Sequence, residues 1–210
     1  MATKAAALGV RMHSGWGALV ALSAPASKPD AIELLERRRI VVIDEGARGA
    51  KQPYHYAAAI DLAAADKFLG ESATSSARLA EAALREVIHD LGGRGYQVVG
   101  GAVLRAAGRA LPALHEILAS HPLIHTAEGE FFRDAIARAC ERLEIGVSGM
   151  RERDLEQLTK SAFGSDAPRI HKTIANLGKE IGPPWTTDQK SAALAALLVL
   201  RGQGGRGGKG

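Results

Sequence analysis

The stretch from His121 to Arg133, HPLIHTAEGEFFR, gathers two histidines, two glutamates and an arginine. His121 and His125 are four apart, as paired zinc ligands on one helix face are, and Glu128 follows three residues later. That spacing converges on an ion only if both histidines lie in continuous helix. Pro122 predicts otherwise, because proline favours the first helical position and would leave His121 as an N-cap with non-helical dihedrals. An H-E-x-x-H signature is absent as well, since proline follows the first histidine. The pattern therefore assigns no metal ligand.

His125 with Glu128 makes the better pair. One turn apart on a helix, they share a face with Phe132. A carboxylate beside an imidazole fixes its tautomer and suits general acid–base work. The bland alternative is a histidine hydrogen-bonded in the core, with Glu128 and Glu130 favouring the positive end of a helix that opens at Thr126. Arg133 has Gly129 at i−4 and Glu130 at i−3, so any further partner is distant. The charged turn RERD places Arg151, Arg153 and Asp154 after a predicted strand, where open α/β sheets hold ligands. These residues are expected to share a site with His125 and Glu128, against the simpler reading of Asp154 as a helix cap. His55, in QPYHY, sits in a segment predicted to be irregular and is a further binding candidate. A solvent-open cleft joining His125, Glu128, His55 and Asp154 would favour an enzyme, and a sealed pair would count against one.

The elements that must position these groups are legible in outline. Leu8 to Met12 and Gly17 to Leu22 predict a β-hairpin, with Gly15 supplying a left-handed turn residue. Ile32 to Ile43 ends in RRRIVVID, β-branched and strand-like, although Asp30 to Arg37 also suits a helical turn. An alanine-rich segment predicts a short helix, and Ser75 and Ser76 a cap for a firmer one reaching about Leu91. Tyr96 to Leu104 predicts a buried strand, LPALHEILASH a short helix from about Pro112, Phe131 to Leu143 a helix, and Ile145 to Ser148 a strand. Three helices close the chain, over Arg151 to Phe163, Ala167 to Ile181 and Thr187 to Leu200. GPPW reads as a rigid connector seating Trp185 on the last of them. Three early strands followed by alternating strands and helices predict a mixed sheet with parallel βαβ units.

The first hairpin, ALGVRMHSGWGALVAL, is similar to the opening of ribonuclease H-like nucleases of the Holliday-junction resolvase type and of actin-like ATPases. In those families a strand reading L-G-I-D-x-G supplies an aspartate that holds a divalent ion. The resemblance implies a ribonuclease H-like α/β fold. Arg11 stands where that aspartate is expected, and a guanidinium has five donors and no acceptor, so it cannot ligate magnesium. Arg11 and His13 together could form a basic lip that binds an anion, or Arg11 could simply face solvent. Asp44 and Glu45 are carboxylates at a strand end, read as ion ligands or as turn residues. The blocks QPYHYA, ILASHPLIHTAEGEFFR, RERDL and GPPWTTDQKSAALAAL resemble a group of bacterial proteins of unassigned function, which implies no chemistry.

Bulk properties narrow the classes. A hydrophobic content of 46% suits a globular domain, and a 4% aromatic content an aliphatic core. The formal charge is +4, but Arg201, Arg206 and Lys209 contribute much of it from the Gly-rich end, so the body is nearly neutral. Cys140, the single cysteine, rules out an intrachain disulfide and falls on an apolar helix face. No apolar run suits a membrane span, so a cytoplasmic location is expected. Residues 1–200 are read as one domain and 201–210 as a disordered tail. The favoured function is a non-enzymatic module binding a protein or nucleic-acid partner. The alternative is a nuclease-like hydrolase using the histidine and glutamate cluster, with or without a metal, and no cofactor is assigned.

Overall fold

The computed structural model describes residues 3–25, 27–28, 31–106 and 110–204. Pro29 and Asp30, part of the RAAGR segment and residues 205–210 of the expected tail lie outside these. The elements run β1 (Lys4–Met12), β2 (Trp16–Ser23), β3 (Glu33–Val41), α1 (Pro53–Ala57), α2 (Leu62–Gly93), β4 (Tyr96–Arg105), α3 (Leu114–Leu118), α4 (His121–Arg142), β5 (Val147–Arg151), α5 (Leu155–Phe163), α6 (Ala167–Ile181) and α7 (Thr187–Gly204).

The five strands form one mixed sheet in the order β3-β2-β1-β4-β5. β1 pairs antiparallel with β2, and β2 with β3, while β4 lies parallel to β1 and β5 parallel to β4. This is the expected meander joined to parallel βαβ units, a ribonuclease H-like α/β arrangement with additional C-terminal helices. The hairpin turns at Gly15, whose φ of 78° a side chain rarely adopts.

Strand alternation divides the apolar residues between two cores. Leu8, Val10 and Met12 of β1, with Leu19 and Ala21 of β2, face α2 and α4, whose Leu84, Val87, Phe132 and Ile136 complete that layer. Ala7, Val20, Leu22, Ala102 and Leu104 face the other way, onto α5, α6 and α7. Sheet and helices thus make three layers. α7 lies unusually close because Ala192, Ala193, Ala195 and Ala196 are all fully buried and small. Beneath them is Gly9, where an added Cβ would stand 1.9 Å from the Ala192 carbonyl oxygen.

Several boundaries differ from the sequence expectation, each for a physical reason. α2 is one helix of 32 residues, with Asp61 as its cap accepting from the Ala64 amide at 3.0 Å. Ser75 and Ser76 lie in its interior, because the Gly70 region carries no strong breaker and the helix simply continues. QPYHY holds the short helix α1 rather than an irregular loop. β3 extends back to Glu33, so Glu33 to Arg37 takes the extended and not the helical form. α7 reaches Gly204, past the expected helix end at Leu200. Trp185 packs on α6, its ring against Gly178 and its Nε1 donating to the Ile174 carbonyl at 2.9 Å, within the core that α6 and α7 share.

Replacing Gly9 by alanine must push α7 off the sheet. The Gly9→Ala protein is expected to lose about 3 kcal/mol or more of unfolding free energy in urea titration. Cys140 is buried in the core, and burial pushes its thiol up to about 11, with Glu141 adding to the shift. At pH 8 only about one thiol in a thousand is then ionised. It should resist a thiol reagent in the native protein and react at once on unfolding.

Candidate functional site

Two polar clusters stand at the carboxyl ends of the parallel strands and beyond them. The first follows from the Gly9 contact. Arg11 lies two residues on, on the same face of β1, and Asp188 lies one turn before Ala192 in α7. The guanidinium and the carboxylate must therefore meet. Arg11 Nη1 donates to Asp188 Oδ1 at 2.7 Å and Arg11 Nε to Glu152 Oε1 at 3.0 Å. His13 Nε2 approaches Asp188 Oδ2 at 2.8 Å and Arg11 Nη1 at 3.0 Å. A carboxylate is the better acceptor, so Nε2 carries its hydrogen toward Asp188, and Asp188 holds Arg11 and His13 with one oxygen each. Ser191 Oγ adds a longer donation of 3.4 Å to Glu152.

Asp188 is fixed by a capping box. The Thr186 hydroxyl accepts from the Asp188 amide at 3.3 Å, and Gln189 Oε1 accepts from the Thr186 amide at 2.9 Å. The carboxylate also sits in the first turn of α7, where the helix dipole favours a negative charge.

The same strand ends carry a second group of arginines. Arg105, the last residue of β4, donates to Glu130 Oε2 at 2.7 Å and to Asp134 Oδ1 at 3.0 Å. Arg133 donates through Nε to the Leu104 carbonyl at 2.9 Å and lies 3.4 Å from Glu130 Oε1. Burial lowers the Arg133 pKa, Glu130 opposes that, and the Arg105 and Arg11 charges push it down further. Arg151 and Arg153 both pair with Asp154, which is therefore held by its own turn. It is not an N-cap in the hydrogen-bonding sense, since its side chain bonds no helix amide.

His13 stacks on Trp16 with ring centroids 4.2 Å apart and planes 11° from parallel, and the Arg39 guanidinium lies 3.8 Å from the same ring. At those distances the two must cover opposite faces, so the indole offers no open stacking surface.

The second cluster stands on an overhang. The first half of α2, with α1, α3 and the start of α4, packs beyond the sheet around small cores of Ala57, Ala65 and Leu69, and of Ile117, Ile124 and Ala127. α4 begins at His121 itself, with Ser120 as N-cap and Pro122 in the first turn. This corrects the expectation that Pro122 would turn His121 away from His125. A proline in the first turn lacks only an amide that has no intrahelical partner, so the helix begins at His121 despite the bias of a pre-proline residue toward extended backbone, and the two imidazoles meet with centroids 4.4 Å apart. His55, from α1, joins them at 4.8 Å from His125 and 5.5 Å from His121. One candidate ligand atom from each of the three lies within 4.8 Å of the others.

Glu128 turns to His55 rather than to His125. Its Oε1 accepts from the His55 amide at 3.2 Å, and its Oε2 lies 2.9 Å from His55 Nδ1. That approach is short but lies off the ring N–H direction, and Nδ1 has no aligned acceptor. The expected shared face of His125, Glu128 and Phe132 is split: Glu128 and Phe132 are buried, while His125 is exposed.

The candidates thus separate into two places. Arg11, His13, Arg133, Arg151, Arg153 and Asp154 lie at the strand ends. His55, His125 and Glu128 lie on the overhang, with His125 two turns, about 12 Å along α4, from Arg133. Asp44 bonds only its own loop, through the Gly46 amide at 3.0 Å, among the described interactions. Sequence reasoning missed Glu152 and Asp188. The T-x-x-Q pattern before α7 and the shared strand parity of Gly9 and Arg11 were the signals that point to Asp188.

Arg11→Asp would place three carboxylates together and remove the guanidinium that bridges Glu152 and Asp188. That variant is expected to lose about 2 kcal/mol or more in EDTA and to recover part of it with millimolar magnesium. Differential scanning calorimetry with and without the ion measures both effects.

No protein-family profile matches the chain, and no curated protein does. Among solved structures, the chain is similar to Thermus thermophilus RuvC in complex with a Holliday junction substrate, at 12% identity and a TM-score of 0.54, covering 97% of this chain and 96% of that one. A second Thermus thermophilus RuvC structure matches at 11% identity and a TM-score of 0.50, covering 93% of each chain. At such identities the likeness concerns architecture alone: the chain has the ribonuclease H-like fold.

Proposed function

We propose that the chain is a ribonuclease H-like module that binds nucleic acid without cleaving it at the strand ends. One observation carries this reading. The place on β1 where a metal-holding carboxylate would stand is taken by Arg11, and the neighbouring acids Glu152 and Asp188 are already engaged by it. Carboxylates neutralised by a fixed guanidinium have little left for a divalent ion. What the strand ends present instead are the guanidiniums of Arg11, Arg105, Arg151 and Arg153, spread over both faces of the sheet and each paired with a carboxylate. Arg151 and Arg153 keep 50% and 67% of their side-chain surface exposed, enough to meet a phosphate. The RuvC structure bound to a Holliday junction substrate adds support, being of the same fold.

Fluorescence anisotropy with duplex and four-way-junction DNA, across a salt series and with magnesium or manganese, tests this. Salt-sensitive binding without cleavage is expected. Arg151→Ala combined with Arg153→Ala should reduce the salt slope by up to about 2. Divalent-dependent cleavage that disappears in Asp188→Asn overturns the non-catalytic reading. Absence of binding at low salt overturns the nucleic-acid partner.

A second reading, a hydrolase using His125 and Glu128, is favoured by exposed His121 and His125 beside a buried carboxylate. It requires that His125→Ala abolish a nuclease or phosphatase activity. Activity equal to that of the parent protein sinks it.

A further inference from the structure

We propose that His55, His121 and His125 form a zinc site, with Glu128 as the carboxylate that orients His55. The inference concerns ion binding alone and stands whether or not the chain hydrolyses anything.

Three imidazoles converge from two separate helices, and α4 supplies two of them at i and i+4, the spacing that brings side chains onto one face. Tetrahedral zinc with nitrogens at about 2.0–2.1 Å needs its ligand atoms about 3.4 Å apart. The candidate atoms already lie within 4.8 Å of one another. Two of the rings are exposed and free to rotate the remaining distance. Edge-to-face packing alone explains little of the grouping, because exposed rings have little apolar surface to gain by it.

Glu128 is the independent observation. It is only 5% exposed, and both carboxylate oxygens are spent on a single residue, His55. Among the described residues no lysine or arginine is paired with it. A buried carboxylate without a cation is costly, and a metal relayed through an imidazole supplies the missing positive charge. Oε2 beside Nδ1 selects the tautomer with hydrogen on Nδ1 and leaves Nε2 as the ligand atom.

The donor set indicates the ion. Nitrogen-only ligation suits zinc and neighbouring transition metals and does not suit magnesium or calcium, which take oxygen. Three protein ligands with an open solvent side leave one coordination position for water or an anion.

The test is isothermal titration of the metal-free full-length chain with zinc chloride, paired with thermal melting. One zinc per chain is expected, with a Kd of about 1 μM or tighter, together with a raised Tm. Cobalt in place of zinc should give the strong visible absorption of a tetrahedral site. His121→Ala with His125→Ala should abolish binding. Both positions are exposed, so the variant should keep the parent Tm in EDTA, which separates ligand loss from misfolding. Glu128→Gln should weaken zinc about 10–100-fold at unchanged stoichiometry. Zinc affinity in the double histidine variant equal to the parent's, or no stoichiometric binding by the parent at about 100 μM zinc, overturns the site. Unchanged affinity in Glu128→Gln overturns the orienting role.

Discussion

The close approach of α7 to β1 organises much of the rest. With no side chain on Gly9 and alanines on the facing helix, two backbones come within reach of each other. That proximity fixes the height of α7 over the sheet and the register of its first turn. Asp188 is then delivered to the end of β1, where Arg11 and His13 emerge on the same face. The strand-end network is thus a consequence of backbone packing, with the capping box at Thr186 and Gln189 setting where the helix starts.

The network also balances charge at the strand ends. The place on β1 is occupied by a positive group, and two acids that could have faced a cation face the guanidinium. Charge balance at the strand ends is preserved with the signs redistributed among side chains. The three groups are only partly buried, so water still shares the solvation of Arg11, Glu152 and Asp188.

Much of the architecture was legible in the sequence, because alternation in LGVRM and GALVAL and the apolar periods of α2, α4 and α6 are strong local signals. Element order and the rules of connection pointed to a meander joined to parallel βαβ units, and the structure supplies the strand order itself. Less legible were the features decided by what lies next to an element. Ser75 and Ser76 look like caps, yet Asp61 starts the helix earlier and no residue stops it. Pro122 looks like a break, yet it occupies a position where helices accept proline. His55 and His121, sixty-six residues apart, meet only because α1 packs against α4, and nothing local in either segment reports it. Arg11 was identified as unusual from its position, but its partners came from segments 141 and 177 residues away.

The long helix α2 has a mechanical consequence. Its 32 residues span about 48 Å, whereas the ten residues of β4 span about 33 Å. The excess is a cantilever, clamped to the sheet at one end and braced at the other by the small apolar nucleus of Ala57, Ala65 and Leu69. A region held by so few buried contacts can open locally, as a unit distinct from the strands, while the sheet stays intact. The histidines sit on the unit that opens, and the arginines on the clamp. A ligand that joins α1 to α4 would therefore act as a brace on the free end, tightening one unit with no demand on the other.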